Sequence, residues 1–194
     1  MKGKSPSPRA RGEGRGEGIH AFTHSLFTSN SAMADSKQLY QEVILDHNRK
    51  PRNFGTLENA SHKAEGHNPL CGDHIGLALE LNGDAIDGIA FQGEACAICK
   101  ASASMMTATV KGKTRQDAET LIQEFRDMAT GKLDLQRQPH HLGRLAVFAG
   151  VRDLPVRVKC AILPWHTLHA ALNSVASTST EADADPMHAP IGGA

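Results

Sequence analysis

The order of elements in this 194-residue chain predicts an α+β fold: one helix, an antiparallel pair of strands, then a run of helices. Three observations carry that expectation. Leu39, Tyr40, Val43, Ile44 and His47 recur at the spacing of a 3.6-residue turn. Two short stretches, roughly His74 to Leu81 and Ala85 to Phe91, flank Asn82-Gly83-Asp84, where Asn-Gly is a hairpin signal. Beyond Lys100 the small and apolar residues return to helical spacing and keep it almost to Asn173.

The first helix takes Asp35 or Ser36 as its N-cap and stops at Pro51. The paired strands begin beside Cys71 and end beside Cys96, and the outer ends of a hairpin are neighbours. Two cysteines 25 positions apart are thereby brought within reach of each other. Lys100-Ala101-Ser102-Ala103-Ser104-Met105-Met106-Thr107-Ala108 reads as a helix packed closely through small residues, with Met105 and Met106 in the core. Cys96 then falls at or just before its N-terminus, where unpaired amides and the helix dipole favour a thiolate. The next helix starts at Thr114 with Asp117 as its capping partner and buries Ala118, Leu121, Ile122, Phe125 and Met128. Gly131 to His141, containing Pro139, is a loop, and a short helix is expected from about Leu142 to Ala149. The last helix begins near Pro155 and carries Cys160 in its first turns. Pro164 should bend it, while Leu163, Leu168, Ala171 and Leu172 continue its apolar stripe.

Composition bounds the rest. At 40% hydrophobic and 4% aromatic, the chain can fill one modest core, mainly with Leu, Ile, Val, Ala and Met. The formal net charge is zero, so electrostatics give no reason to expect nucleic acid as a partner. No run of about 18 apolar residues exists, which excludes a helical membrane span on length. The Arg- and Gly-rich beginning lacks the apolar segment of a signal peptide. Residues 1–34 are read as a disordered or upstream extension, with Met33 as the expected start. Residues 35–174 form the domain, and 175–194 a disordered acidic tail. The cytoplasm is the expected compartment, where thiols stay reduced and available for metal or sulfur chemistry.

All four cysteines lie in three separated segments: Asn68-Pro69-Leu70-Cys71-Gly72-Asp73, Gly93-Glu94-Ala95-Cys96-Ala97-Ile98-Cys99 and Arg157-Val158-Lys159-Cys160. A metal that takes thiolate and carboxylate donors needs about four groups at one point. Cys71 and Asp73 offer two from one tight turn, and Cys96 and Cys160 complete the set. Gly72 between the first two permits an unusual backbone angle. Cys99 creates a Cys-x-x-Cys pair with Cys96, which leaves open a fourth thiol ligand displacing Asp73, a redox pair, or simply a small buried residue.

Leu39-Tyr40-Gln41-Glu42-Val43-Ile44-Leu45-Asp46-His47, Pro51-Arg52-Asn53-Phe54-Gly55, the Asn68 to Asp73 segment, Gly93-Glu94-Ala95-Cys96, Lys100 to Met106 and Val158-Lys159-Cys160-Ala161, taken in order, resemble the SufU branch of the IscU/NifU N-terminal iron–sulfur assembly family. Within that family the shorter IscU type has a His immediately before its third cysteine. This chain has Lys159 there, and its charged stretch from about Gly131 to Asp153 looks like the insertion of the SufU type. The resemblance implies a small antiparallel sheet of about three strands with helices packed on one face, the third strand lying near Ser61 to Glu65. It implies zinc held by Cys71, Asp73, Cys96 and Cys160, or alternatively iron or an iron–sulfur cluster on the same residues.

By the same resemblance the chain is a zinc-dependent acceptor of persulfide sulfur from a PLP-dependent, SufS-like cysteine desulfurase, working with iron–sulfur assembly components. It is then a sulfurtransferase-like partner of that enzyme, with Cys71 as the acceptor. The alternative is a scaffold on which a cluster is built directly and passed to apo-proteins. A purely structural zinc module fits poorly, because structural sites usually close with Cys and His alone. His74 is expected to point away from Asp73 by strand alternation, and His140 and His141 to be solvated loop residues. Arg157 and Lys159 either stabilise charge at Cys160 or lie on an exposed helix face. Trp165 anchors either the last helix or a partner surface.

Overall fold

The structure, a computed structural model, describes residues 38–181. The expected cap at Asp35 or Ser36, the extension over 1–34 and the acidic end past Glu181 lie outside them. Helix α1 (residues 38–49) is followed by strands β1 (His62–Asn68), β2 (Asp73–Asn82) and β3 (Ala85–Glu94). Helices α2 (Ala97–Val110) and α3 (Arg115–Ala129), a 3-10 segment (Gly143–Asp153), helix α4 (Pro155–Leu172) and a short strand β4 (Ser177–Ser179) complete the chain. Strands β1, β2 and β3 are antiparallel in sequence order, and β4 adds parallel to the free edge of β1, giving the sheet order β3-β2-β1-β4.

The fold is α+β as the sequence predicts, with four strands where about three were expected. The extra one comes from a segment read as tail, because three residues of Ser and Thr carry no apolar alternation. Its backbone nevertheless closes an edge that β1 would otherwise expose. The expected strand at Ser61 to Glu65 runs further, to Asn68, and so reaches the cysteine turn. The two-residue turn between β2 and β3 has φ +60 at Gly83, a conformation that glycine adopts without strain.

Alternation sets the inner face. Ala64, Ile75, Leu77, Leu79, Ile89 and Phe91 are buried against the helices, while Glu65, His67 and His74 point outward. Helix α4 lies across β1 and β2. It approaches closely because Gly66 has no side chain: a Cβ there would collide with Thr167 and crowd Leu163. Trp165 is fully buried and stacks on Phe125 with ring centroids 4.4 Å apart, so it anchors the last helix and presents nothing to a partner. Its indole N–H donates to Ser102 Oγ at 3.2 Å, and that hydroxyl donates to the Ala161 carbonyl at 2.7 Å, tying α2 to α4. Thr114 and Asp117 form the expected capping box. Leu39, expected on the buried stripe of α1, is instead exposed, and Ile44 and His47 carry that face. The helix expected over Leu142 to Ala149 is a longer 3-10 segment with Leu145, Phe148 and Val151 inward. No helix among the described residues is long and apolar enough to cross a membrane.

Candidate metal centre

The cysteines converge where the β1–β2 turn, the end of β3 and the second turn of α4 meet. Register puts Asn68 opposite Asp73 and His74 opposite Glu94, so the turn bearing Cys71 lies beside the chain leading to Cys96. Gly72 has φ +69, the left-handed conformation expected between Cys71 and Asp73. Gly93, at φ +128, lets the end of β3 run close beside β2, because a Cβ would overlap the His74 carbonyl and stand 2.9 Å from Ile75 Cα. Cys96 is the N-cap of α2, and its sulfur accepts the Cys99 N–H at 3.5 Å.

One donor atom from each of Cys71, Asp73 and Cys160 lies within 4.8 Å of the other two. Cys160 Sγ is 3.0 Å from Cys71 Sγ. The carboxylate of Asp73 is completely buried and forms no ion pair among the described residues: Oδ1 accepts the Cys96 N–H at 2.6 Å, and Oδ2 accepts from Asn68 Nδ2 at 3.2 Å. Asn68 Nδ2 also reaches Cys160 Sγ at 3.5 Å. A buried carboxylate beside two thiols, with hydrogen bonds and no ion pair among the described residues, suits a thiophilic divalent ion. Sulfurs on a tetrahedral zinc stand roughly 3.8 Å apart, which small side-chain movements here would reach. The residues therefore fit a metal. Cys96 is not within the mutually close set, although it is held against it through the Asp73 carboxylate and the Cys160 thiol.

Protons are shared unequally among the sulfurs. Hydrogen bonding with Cys96, together with burial and the neighbouring Cys71, pushes the Cys160 thiol far up. The same hydrogen bond, with the N–H groups of Cys99 and Ile98 at the helix start, lowers Cys96 to about 7 against the opposing effect of burial. Burial drives Cys99 well above the usual thiol range. Accessibility is graded too: Cys71 is exposed, Cys96 half-buried, and Cys99 and Cys160 are buried. Cys99 packs with Ile75, Cys160 and Leu163, the environment of a small apolar residue.

The other singled-out residues fall away from the centre. His74 points outward and meets Glu65 at 3.1 Å. His141 pairs with Glu124 at 2.7 Å, and neither it nor His140 joins a metal-competent cluster among the described residues. Lys159 is held by Glu181 at 2.6 Å, and Arg157 is exposed at the rim of a groove of about 780 Å³ lined also by Leu39, Tyr40, Val43, Val147 and Leu154. Sequence reasoning assigned no role to Asn68. Its only signal was position, a polar residue one step before the Pro of a cysteine-bearing turn.

A NifU-like N-terminal domain model matches residues 39–161. A zinc-dependent sulfurtransferase SufU of Bacillus subtilis (strain 168) is 42% identical over 135 residues, covering 70% of this chain and 90% of the relative. An iron–sulfur cluster assembly scaffold protein IscU of Streptococcus pyogenes serotype M1 is 36% identical over 146 residues, covering 75% and 90%. A crystal structure of a protein assigned as an assembly scaffold of the SUF system, from Fervidobacterium islandicum AW-1, superposes with a TM-score of 0.62 at 35% identity. It covers 68% of this chain and 94% of that one. With the cysteine segments, the sheet order and these matches in agreement, the chain belongs to the NifU-like N-terminal domain family, among its SufU and IscU relatives.

Proposed function

We propose that this protein works in iron–sulfur cluster assembly as a zinc-dependent acceptor of persulfide sulfur, taking it in the cytoplasm from a PLP-dependent cysteine desulfurase of the SufS kind. Cys71, Asp73, Cys96 and Cys160 hold the zinc, and Cys71 receives the sulfur. One observation carries the assignment: among clustered donors, Cys71 alone is exposed, while Cys160 and Asp73 beside it are buried. Bound zinc supplies positive charge that keeps thiols ionised near neutral pH, without redox chemistry of its own.

The transfer is a displacement at sulfur. The Cys71 thiolate attacks the terminal sulfur of the donor's cysteine persulfide; a new S–S bond forms on Cys71, the donor's S–S bond breaks, and the donor cysteine leaves as thiolate. No net oxidation occurs. Exposed Leu70, Leu154 and Val156 give the chain apolar surface of the sort a protein partner covers. The second reading, a scaffold assembling a cluster on the same cysteines, draws on the IscU relatives. Against it, the residue before Cys160 is Lys159, engaged with Glu181, where a histidine donor would stand.

The test is to purify the chain with and without oxygen, measure zinc, iron and sulfide per chain, then add a cysteine desulfurase and free cysteine. Stoichiometric zinc with a marked rise in sulfide release supports sulfur acceptance. Iron and acid-labile sulfide in the anaerobic protein, with no stimulation by the zinc form, transfers the assignment to the scaffold.

A further inference from the structure

Asn68 uses all of its hydrogen-bonding capacity in a site with no access to water. Its Nδ2 donates to Asp73 Oδ2 at 3.2 Å and to Cys160 Sγ at 3.5 Å. Its Oδ1 accepts the Leu70 N–H at 3.3 Å and the Thr180 hydroxyl at 3.2 Å. The orientation of the amide is therefore fixed, since turning it over would set its oxygen against the Asp73 carboxylate and its N–H₂ against the Leu70 N–H. Thr180 itself belongs to the segment that closes the sheet edge: its N–H donates to the His67 carbonyl at 3.1 Å, and the Glu65 N–H donates to Ala176 O at 2.9 Å. Glu181 then reaches Lys159, the residue before Cys160, at 2.6 Å. The segment after α4 thus grips the cysteine centre twice, once through Asn68 and once through Lys159.

We propose that Asn68 is a positioning residue that orients Asp73 and Cys160, and that the carboxyl-terminal strand β4 with Thr180 locks Asn68 in place. In its effect on the ion this rests on the metal reading above; in its effect on the Cys160 thiol it does not. Groups that hydrogen-bond to ligand atoms fix their direction and tune their basicity, and losing one typically weakens metal binding about 10- to 100-fold. Without Asn68, the Asp73 oxygen and the Cys160 sulfur lose the amide that donates to both. Without the Thr180 hydroxyl, the amide keeps its contacts with Asp73, Cys160 and Leu70 but is held less firmly.

The experiment uses the full chain and four proteins: wild type, Asn68→Ala, Thr180→Val and Thr180→Ser. Each is stripped of metal and titrated with Co²⁺ alone, following the thiolate charge-transfer and d–d bands, with a chelator competition for affinity. Apo-protein melting is recorded in parallel. Asn68→Ala is expected to lose about 10- to 100-fold in affinity with altered bands. Thr180→Val should lose about fivefold, the effect of one hydrogen bond, and Thr180→Ser should match wild type. In the metal-free proteins, the rate of iodoacetamide labelling of Cys160, resolved by mass spectrometry, should depart from wild type in Asn68→Ala and Thr180→Val but not in Thr180→Ser. Unchanged affinity, bands and labelling in Asn68→Ala overturn the proposal. So does a loss that merely tracks the apo-protein melting temperature. A wild type that shows no thiolate bands removes the metal reading instead, and the labelling comparison then decides the role of Asn68.

Discussion

Two buried side chains show how single residues set the chemistry around them. Ser104 Oγ accepts the Arg52 N–H at 2.7 Å, so its own proton is free for His47 Nδ1, also 2.7 Å away. Burial, with Arg52 adding to it, lowers the His47 pKa and so favours the neutral imidazole, to which Ser104 can donate. The sign follows. A histidine whose folded pKa lies below its unfolded value of about 6.5 contributes its full stability above that value and loses it as pH falls through the folded pKa. Metal-free protein should therefore melt at lower temperature at pH 5 than at pH 7, and His47→Gln should show a shallower dependence; parallel slopes would remove His47 from the account. Cys99 tests the opposite kind of role. Fully buried among Ile75, Cys160 and Leu163, it behaves as packing. Cys99→Ala should keep the full metal content by elemental analysis while losing about 1 kcal/mol in denaturant unfolding. A drop in metal per chain would instead make it a ligand.

At the level of elements, the centre depends on backbone approaches that side-chain chemistry does not reveal. Gly93 permits the close pairing at the end of β3 that delivers Cys96, and the φ of +128 is rarely adopted by other residues. Gly93→Ala forces the His74 carbonyl and Ile75 backbone to move. It is expected to cost about 2 kcal/mol or more and to impair metal retention together with stability, read by denaturant melts and metal analysis on the same preparation. A variant with normal stability and normal metal would show that the end of the hairpin tolerates rearrangement. Gly93 and Gly66 were both visible in the chain, but their necessity was not, since it arises from contacts with residues distant in sequence. The elements that sequence did reveal were those with strong local signals: the hairpin through Asn82-Gly83, the Thr114 capping box, and Cys96 at the start of α2. Strand β4 had no local signal, because its partners, the edge of β1 and helix α4, are distant in pattern from its own three residues. For the same reason Thr180 and its grip on Asn68 could not be read from a segment of Ser, Thr and Ala.

For the whole molecule, the centre sits where three packed elements meet: the β1–β2 turn, the start of α2 and the second turn of α4. Ordered sequence motifs pointed to four donors; three of them come together directly, and Cys96 stands next to them. An ion at such a junction binds the folded chain far better than the unfolded one, so its binding energy appears as stability. Chelation should lower the melting temperature, by several degrees if bound metal contributes even about 2 kcal/mol. The ligand positions should not share that effect equally. Cys160 is buried on α4 and hydrogen-bonded to Asn68 and Cys71, so Cys160→Ser both weakens the site and leaves a poorly matched hydroxyl in a packed position. Cys71 stands at the exposed tip of its turn, and Cys71→Ser disturbs no packing. The expected outcome is that Cys160→Ser reproduces most of the chelation shift, whereas Cys71→Ser melts closer to wild type but abolishes stimulation of a cysteine desulfurase. Equal melting shifts for the two variants would show that the exposed thiol is as structural as the buried one, and the division between holding the site and receiving sulfur would have to be abandoned.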